Sequence, residues 1–216
     1  LIGFDNTARD YGVADYLSRL PVRPKAVSLL LTDPEIVHSH HGLAEDFAIG
    51  DQQCSYCARP WNEERRRQSW TAWQLRALVS ELRRNGVAAY PSFFDVSMSP
   101  NSSYLRRFNA CRRPGFWIDS HPEVFCQDRT GRRHDGVVCI IKRLSDGSSY
   151  ADFFIPRLVM FLKDYGFSGW HACDGYGHPR LPVSQGDFSD DVVAQFMQAN
   201  PEITLPEKLD LPERAD

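Results

Sequence analysis

The chain of 216 residues has no apolar run close to the ~20 residues that a membrane-spanning helix needs. Its first residues, Leu1 to Asn6, lack the charged and then apolar segments of a secretory signal, and the chain does not begin with Met. We therefore predict no membrane partner and expect a portion of a longer protein. Cytoplasmic and secreted localisation both stay open, as does the oligomeric state.

The sequence also lacks a concentration of basic charge and a phosphate-binding loop. It has 25 Lys and Arg against 28 Asp and Glu, a net charge of −3, and its one basic cluster is Glu63 to Arg67. This pattern predicts no nucleic-acid partner. No Gly-x-Gly-x-x-Gly follows a predicted strand, and Gly175 and Gly177 come after Asp174, which would repel a phosphate. A nucleotide site is not expected.

Close cysteine pairs are scarce. Of six cysteines, only Cys54 and Cys57 are closely spaced, and a zinc site usually has a second such pair. A metal hypothesis would combine them with the nearby His38, His40 and His41. We expect free thiols, no bound metal and no cofactor, with Cys139 and Cys173 as small core residues.

What the chain does have is an alternation of strand and helix patterns. Predicted strands at 25–33, 87–96 and 167–173 are separated by predicted helices at 71–85 and 150–165, with shorter helices at 12–20 and after Ser189. The alternation predicts an α/β fold whose three strands are parallel neighbours. An open doubly wound sheet is the alternative to a (β/α)8 barrel.

About four strand units can be counted, fewer than a closed (β/α)8 barrel requires. We therefore predict a single barrel-type domain over residues 1–216, incomplete at its carboxyl end, as in the amino-terminal half of a barrel. Long loops at 35–69 and 97–120 should cover the site. The segments 123–127 and 137–142 form either a hairpin or a loop strand followed by a third barrel strand.

An acid lies at or next to the carboxyl end of each predicted barrel strand, namely Asp33, Asp95 and Asp174. Parallel strands bring their carboxyl ends to one edge of a sheet, where (β/α) barrels carry their chemistry. Each acid has a structural alternative as a cap or turn residue, and Asp174 with Gly175 is a common turn pair.

The segment Gly166-Phe-Ser-Gly-Trp-His-Ala-Cys-Asp174, followed by Gly-Tyr-Gly, resembles the fourth-strand motif of retaining glycoside hydrolases with barrel folds. This broad group holds dextranases, α-amylases and α-galactosidases. The similarity covers roughly residues 70–180 and implies that Asp174 is the nucleophile. Ala172 stands where α-amylase-like enzymes carry Arg, which points to the wider group rather than to that family.

Sugar binding needs flat apolar surfaces beside hydrogen-bonding groups. Besides Asp33 and Asp95, the candidate substrate-binding residues are aromatic or lie on the loop after Asp174: Trp61, Trp117, Trp170, Tyr176, His178 and Arg180. Trp170 shares strand parity with Asp174, so both should point towards the barrel axis, and the structural alternative for Trp170 is to fill the barrel interior.

These observations favour a glycosidase that cleaves an oligo- or polysaccharide with retention, using Asp174. The first alternative is a non-catalytic carbohydrate-binding or scaffold portion of a barrel. A weaker alternative is a metal-dependent hydrolase using His38, His40, His41 and Asp174.

Overall fold

The computed structural model describes residue 1 and residues 3–32, 34–49, 69–94, 117–173 and 186–205. The helices in these ranges are α1 (Val13–Ser18), α2 (Glu35–His38), α3 (Ala72–Arg84), α4 (Tyr150–Tyr165) and α5 (Asp190–Ala199). The strands are β1 (Ala26–Thr32), β2 (Ala88–Phe94), β3 (Phe125–Gln127), β4 (Arg133–Val138) and β5 (His171–Cys173). None of these helices combines the length and the apolar character that crossing a membrane requires.

The strands β1, β2 and β5 form a parallel sheet in that order. Ala26 pairs with Ala88 at one end of the sheet, and Phe94 pairs with Cys173 at the other. The prediction that these strands are parallel neighbours is confirmed. Within the described ranges this sheet has three strands, so closure into a (β/α)8 barrel and the single-domain assignment stay predictions.

Pro91 lies within the central strand β2, although proline removes a ladder hydrogen bond. Pairing of β2 with β5 begins only at Ser92, so Pro91 lies just outside the stretch that is paired on both sides. The short length of β5 therefore makes the proline tolerable.

Helix α3 begins and ends as its local sequence predicts. The Thr71 hydroxyl accepts the backbone N–H of Gln74, and the Gln74 side chain accepts the backbone N–H of Thr71, which closes a capping box. Its buried stripe is made of Leu75, Leu78, Val79 and Leu82. This stripe packs the helix against the sheet and fixes the first crossover between β1 and β2.

Both ends of helix α4 are also marked by residues that favour a helix boundary. Ser149 and Asp152 form a capping box at its start, and Gly166 ends it with φ of 77°, a left-handed conformation that favours glycine. The following strand is shorter than the predicted 167–173. Only residues 171–173 pair in the ladder, while Ser168 donates its backbone N–H to the carbonyl of Ala89.

The two faces of the parallel sheet differ in their surroundings. Leu29, Leu31, Ala89 and Phe93 are buried, and Phe93 meets the ring of Phe154 on α4. Residues at alternate positions point to the other face. Two of them, Ser28 and His171, are exposed. Helix α4 thus covers the face of the sheet that carries Phe93.

The strands β3 and β4 form a separate antiparallel pair. Of the two arrangements predicted for this segment, the hairpin is correct, and no third barrel strand forms there. The second strand lies earlier than the predicted 137–142. Asp128 accepts the backbone N–H groups of Thr130 and Arg132, and Gly131 has φ of 78°, so a tight turn sets the hairpin register.

Helix α5 follows Ser189, as predicted, but the cap is different. The hydroxyl of Ser189 donates to the Asp191 carboxylate at 2.9 Å instead of accepting a backbone N–H. The Asp191 carboxylate in turn accepts the backbone N–H of Arg143 at 3.1 Å. The beginning of α5 is therefore tied to the segment after β4.

Candidate active site

The site begins at the edge where the three parallel strands end. β1 ends at Thr32, β2 at Phe94 and β5 at Cys173, and the next residue in each case is an aspartate. Asp33, Asp95 and Asp174 themselves lie outside the described residues. The same holds for Trp61, Tyr176, His178 and Arg180. What the structure describes is the framework directly before the three acids.

Trp170 lies on the face of the sheet that α4 covers. Its ring stacks on Phe93 with the centroids 5.4 Å apart, and it meets Phe154 edge-on at 6.1 Å. These contacts are those of a core residue, but they lie on the face that α4 covers and not on the barrel-axis side that the strand position of Trp170 predicts. Its role in substrate binding stays a prediction.

Trp117 is one of the described candidates, and it lies in a short 3₁₀ helix, Trp117–Asp119. Its ring stacks on Phe153 at 4.1 Å and on His121 at 3.9 Å. The backbone N–H of Trp117 donates to the Glu35 carboxylate at 2.9 Å. Much of the indole surface is therefore buried against other side chains, and the residue ties the last part of the predicted loop 97–120 to α2.

Glu35 belongs to a buried polar network close to the end of β1. His38 Nδ1 lies 3.1 Å from Glu35 Oε2, and His38 Nε2 lies 2.7 Å from the Tyr150 hydroxyl. Burial lowers the pKa of His38, while its bond to Glu35 opposes this shift. A neutral ring that donates from Nδ1 to the carboxylate and accepts the Tyr150 O–H at Nε2 satisfies all three groups.

The neighbouring His40 forms a separate pair. Its Nε2 lies 2.8 Å from the Asp164 carboxylate on α4, and burial lowers its pKa against the influence of Asp164. Arg157 donates to the backbone carbonyl of His40 at 3.2 Å and lies 4.6 Å from the ring centroid of Phe153. The segment after α2 is thus held on α4 by a charged side chain and a buried histidine.

The arrangement of the histidines bears on the metal hypothesis. Both ring nitrogens of His38 face Glu35 and Tyr150, and His40 faces Asp164. In the part of the chain that the structure describes, the one group with metal-binding spacing is Cys126, Cys139 and Asp187, which includes none of these histidines. The geometry therefore does not bring His38, His40 and His41 together as a ligand set.

A second polar cluster lies on the face of the sheet opposite α4. His171 Nδ1 is 3.0 Å from the Ser28 hydroxyl and 3.3 Å from the Ser92 hydroxyl, so the three strands each contribute one residue. His171 is exposed, whereas Ser92 is buried. The sequence does not single out Ser28 or Ser92, because a serine within a strand carries no signal of its own until the strand register is known.

Lowering the pH from about 7 to about 5 is expected to reduce the free energy of unfolding through His38 and His40. Burial favours their neutral rings in the folded chain, so below the ordinary pKa of 6.5 the unfolded chain binds protons that the folded chain does not. Their contribution is present above 6.5 and is lost as the pH falls towards the lowered pKa. Each histidine accounts for at most about 1.4 kcal/mol per pH unit.

Urea unfolding of the wild type, His38→Gln and His40→Gln across this pH range measures the effect. Each variant should show a shallower dependence of stability on pH, whatever its stability at pH 7. His171→Gln, which changes an exposed histidine, is the matched control and should keep the wild-type slope. Equal slopes in all four proteins would contradict the role assigned to the buried rings.

No protein-family model matches the chain, and no curated protein or solved structure matches it either.

Proposed function

We propose that the chain is part of a retaining glycoside hydrolase in which Asp174 is the nucleophile. The observation that carries the proposal is the parallel order β1, β2, β5, with all three carboxyl ends at one edge and an aspartate next in the sequence after each. Enzymes built on parallel α/β sheets place their reacting groups at this edge. Glycoside hydrolysis requires two carboxyl groups there.

The strand order supports Asp95 as the second carboxyl group. Phe94 pairs with Cys173, so Asp95 and Asp174 each follow a member of the same pair. Neighbouring strands lie about 4.8 Å apart, close to the roughly 5–5.5 Å between the carboxyl groups of a retaining enzyme. Asp33 follows β1, and β1 lies two strand spacings from β5, or roughly 9–10 Å. This distance is nearer to the separation of the two carboxyl groups in inverting enzymes.

The polar groups on the face of the sheet opposite α4 support a polar ligand. The hydroxyls of Ser28 and Ser92 both lie within hydrogen-bond distance of the His171 imidazole, so each of the three strands contributes one polar group. Hydroxyl and imidazole groups bond readily to sugar hydroxyls. Tyr176, His178, Arg180 and Trp61 remain the candidates for further substrate contacts. The glycan and its linkage are not specified by these features.

Two other functions predict different results in an assay of glycoside turnover. A non-catalytic carbohydrate-binding barrel portion would share the sheet and its polar face but would not turn over a glycoside. The metal-dependent hydrolase has less support, since His38 and His40 are engaged in separate pairs with Glu35, Tyr150 and Asp164.

A panel of aryl α- and β-glycosides, followed by proton NMR in the first minutes of reaction, tests the proposal on the wild-type protein. The first sugar product should keep the anomeric configuration of its substrate, because two successive displacements restore it. Inversion would contradict Asp174 as a nucleophile. Measurable sugar binding by calorimetry without turnover of any glycoside would favour the binding domain.

A further inference from the structure

A compact sulfur and carboxylate cluster lies outside the proposed active site. Cys126 lies in β3, Cys139 directly follows β4, and Asp187 precedes α5. The two Sγ atoms and a carboxylate oxygen of Asp187 all lie within 4.8 Å of one another. The two cysteines are 0% and 4% exposed, respectively. The cluster therefore joins both strands of the hairpin to the last described helix in a space closed to solvent.

The partners of Asp187 indicate what this cluster can bind. Lys142 Nζ lies 3.4 Å from both carboxylate oxygens, and both side chains are buried. The backbone N–H groups of Gln127 and Ser189 donate to the same carboxylate at 3.1 and 3.0 Å. The lysine ammonium thus already occupies the place of a cation next to Asp187. A metal ion bound here would have to displace the lysine ammonium. The two thiols therefore have each other as reaction partners.

The sulfur atoms interact directly. The hydrogen bond between the two side chains raises the pKa of Cys126 and lowers the pKa of Cys139. The hairpin places Cys139 opposite Val124, because Phe125 pairs with Val138 and the backbone N–H of Cys139 donates to the carbonyl of Val124. Cys126 and Cys139 are therefore diagonal neighbours across the two strands, with their Sγ atoms within 4.8 Å of each other.

We propose that Cys126 and Cys139 form a structural disulfide when the chain folds in the presence of a small-molecule or protein disulfide. One cysteine thiolate attacks a sulfur of the oxidant and releases its first thiol. The second cysteine thiolate then attacks the mixed disulfide and releases the second thiol. The two cysteines lose two electrons and two protons, and the oxidant gains both as two thiols. Burial afterwards protects the bond from reductants.

Peptide mapping of the wild-type chain refolded with oxidised and reduced glutathione tests the proposal. Trypsin cleaves after Arg129 and Arg133, between the two cysteines, so a disulfide joins the separate peptides 113–129 and 134–142. After alkylation without reduction, we expect this linked pair as the main form of both peptides. Cys54→Ser/Cys57→Ser, which removes the closely spaced pair elsewhere in the chain, should retain it.

Stability gives a second measurement that does not depend on mapping. Reduction should lower the thermal midpoint of the oxidised wild type by about 5–10 °C, because a short disulfide loop constrains the unfolded chain. The Cys126→Ala/Cys139→Ala variant should show no such change. Both thiols alkylated after oxidative refolding, pairing of either with another cysteine, or stoichiometric zinc on the reduced chain would each overturn the disulfide.

Discussion

Replacing Asp174 with Ala is expected to lower the turnover of an aryl glycoside by roughly four orders of magnitude or more. In the proposed mechanism Asp174 forms the glycosyl intermediate, so its loss removes the first displacement and not merely a contact to the substrate. Added azide should restore part of the activity, because this small anion fits the space of the missing carboxylate and attacks the same carbon. The product should then be a glycosyl azide of inverted configuration.

Kinetics with an activated leaving group, together with NMR of the azide product, measure both effects. The matched control is Asp190→Ala, which removes an exposed aspartate from the first turn of α5 and should leave turnover unchanged. Circular dichroism should show that both variants fold like the wild type. Wild-type turnover in Asp174→Ala would exclude this residue from the mechanism and favour the carbohydrate-binding alternative.

Asp95→Asn is expected to lower turnover by about 10²–10⁴-fold for glycosides with poor leaving groups. A general acid protonates the departing oxygen, and a dinitrophenolate leaves without that proton. The loss in the rate of the first step should therefore be much smaller for a dinitrophenyl glycoside than for an alkyl glycoside. The prediction rests on the pairing of Phe94 with Cys173, which relates Asp95 to Asp174 across adjacent strands.

Asp33→Asn is the matched control for Asp95, since it changes the aspartate that follows the outer strand β1. As a substrate-binding residue, Asp33 should affect both classes of glycoside by a similar factor. If Asp95→Asn behaved in the same way, Asp95 would also be a binding residue. The general acid would then have to be another carboxyl group.

The element boundaries that the sequence predicted best are those set by local chemistry. Thr71 with Gln74 begins α3, Ser149 with Asp152 begins α4, and Gly166 ends it, each through groups within one helical turn. Such signals can be recognised from the sequence because both interacting groups are close in the chain. Ser189 shows their limit, since its hydroxyl bonds to Asp191, which in turn binds the backbone of Arg143 from another segment.

The predicted site could be only partly located from the sequence. The parallel direction of β1, β2 and β5 followed from the alternation of strands and helices, because right-handed crossovers restrict parallel topologies strongly. Strand parity predicted that Trp170 points towards the barrel axis, and this prediction was wrong. The indole of Trp170 packs where apolar partners are present. Phe93 and Phe154 provide them on the face that α4 covers.

By itself, the sequence determined where α3 and α4 begin, where α4 ends, that three strands run parallel, and that an aspartate follows each of them. Only the tertiary structure decided that Glu35, His38 and Tyr150 share a buried network, that Ser28 and Ser92 meet His171, and that Cys126 faces Cys139. Periodicity and capping act over a few residues, so a single chain segment carries them. Polar contacts between distant segments depend on strand register and helix packing, which arise only when the whole domain assembles.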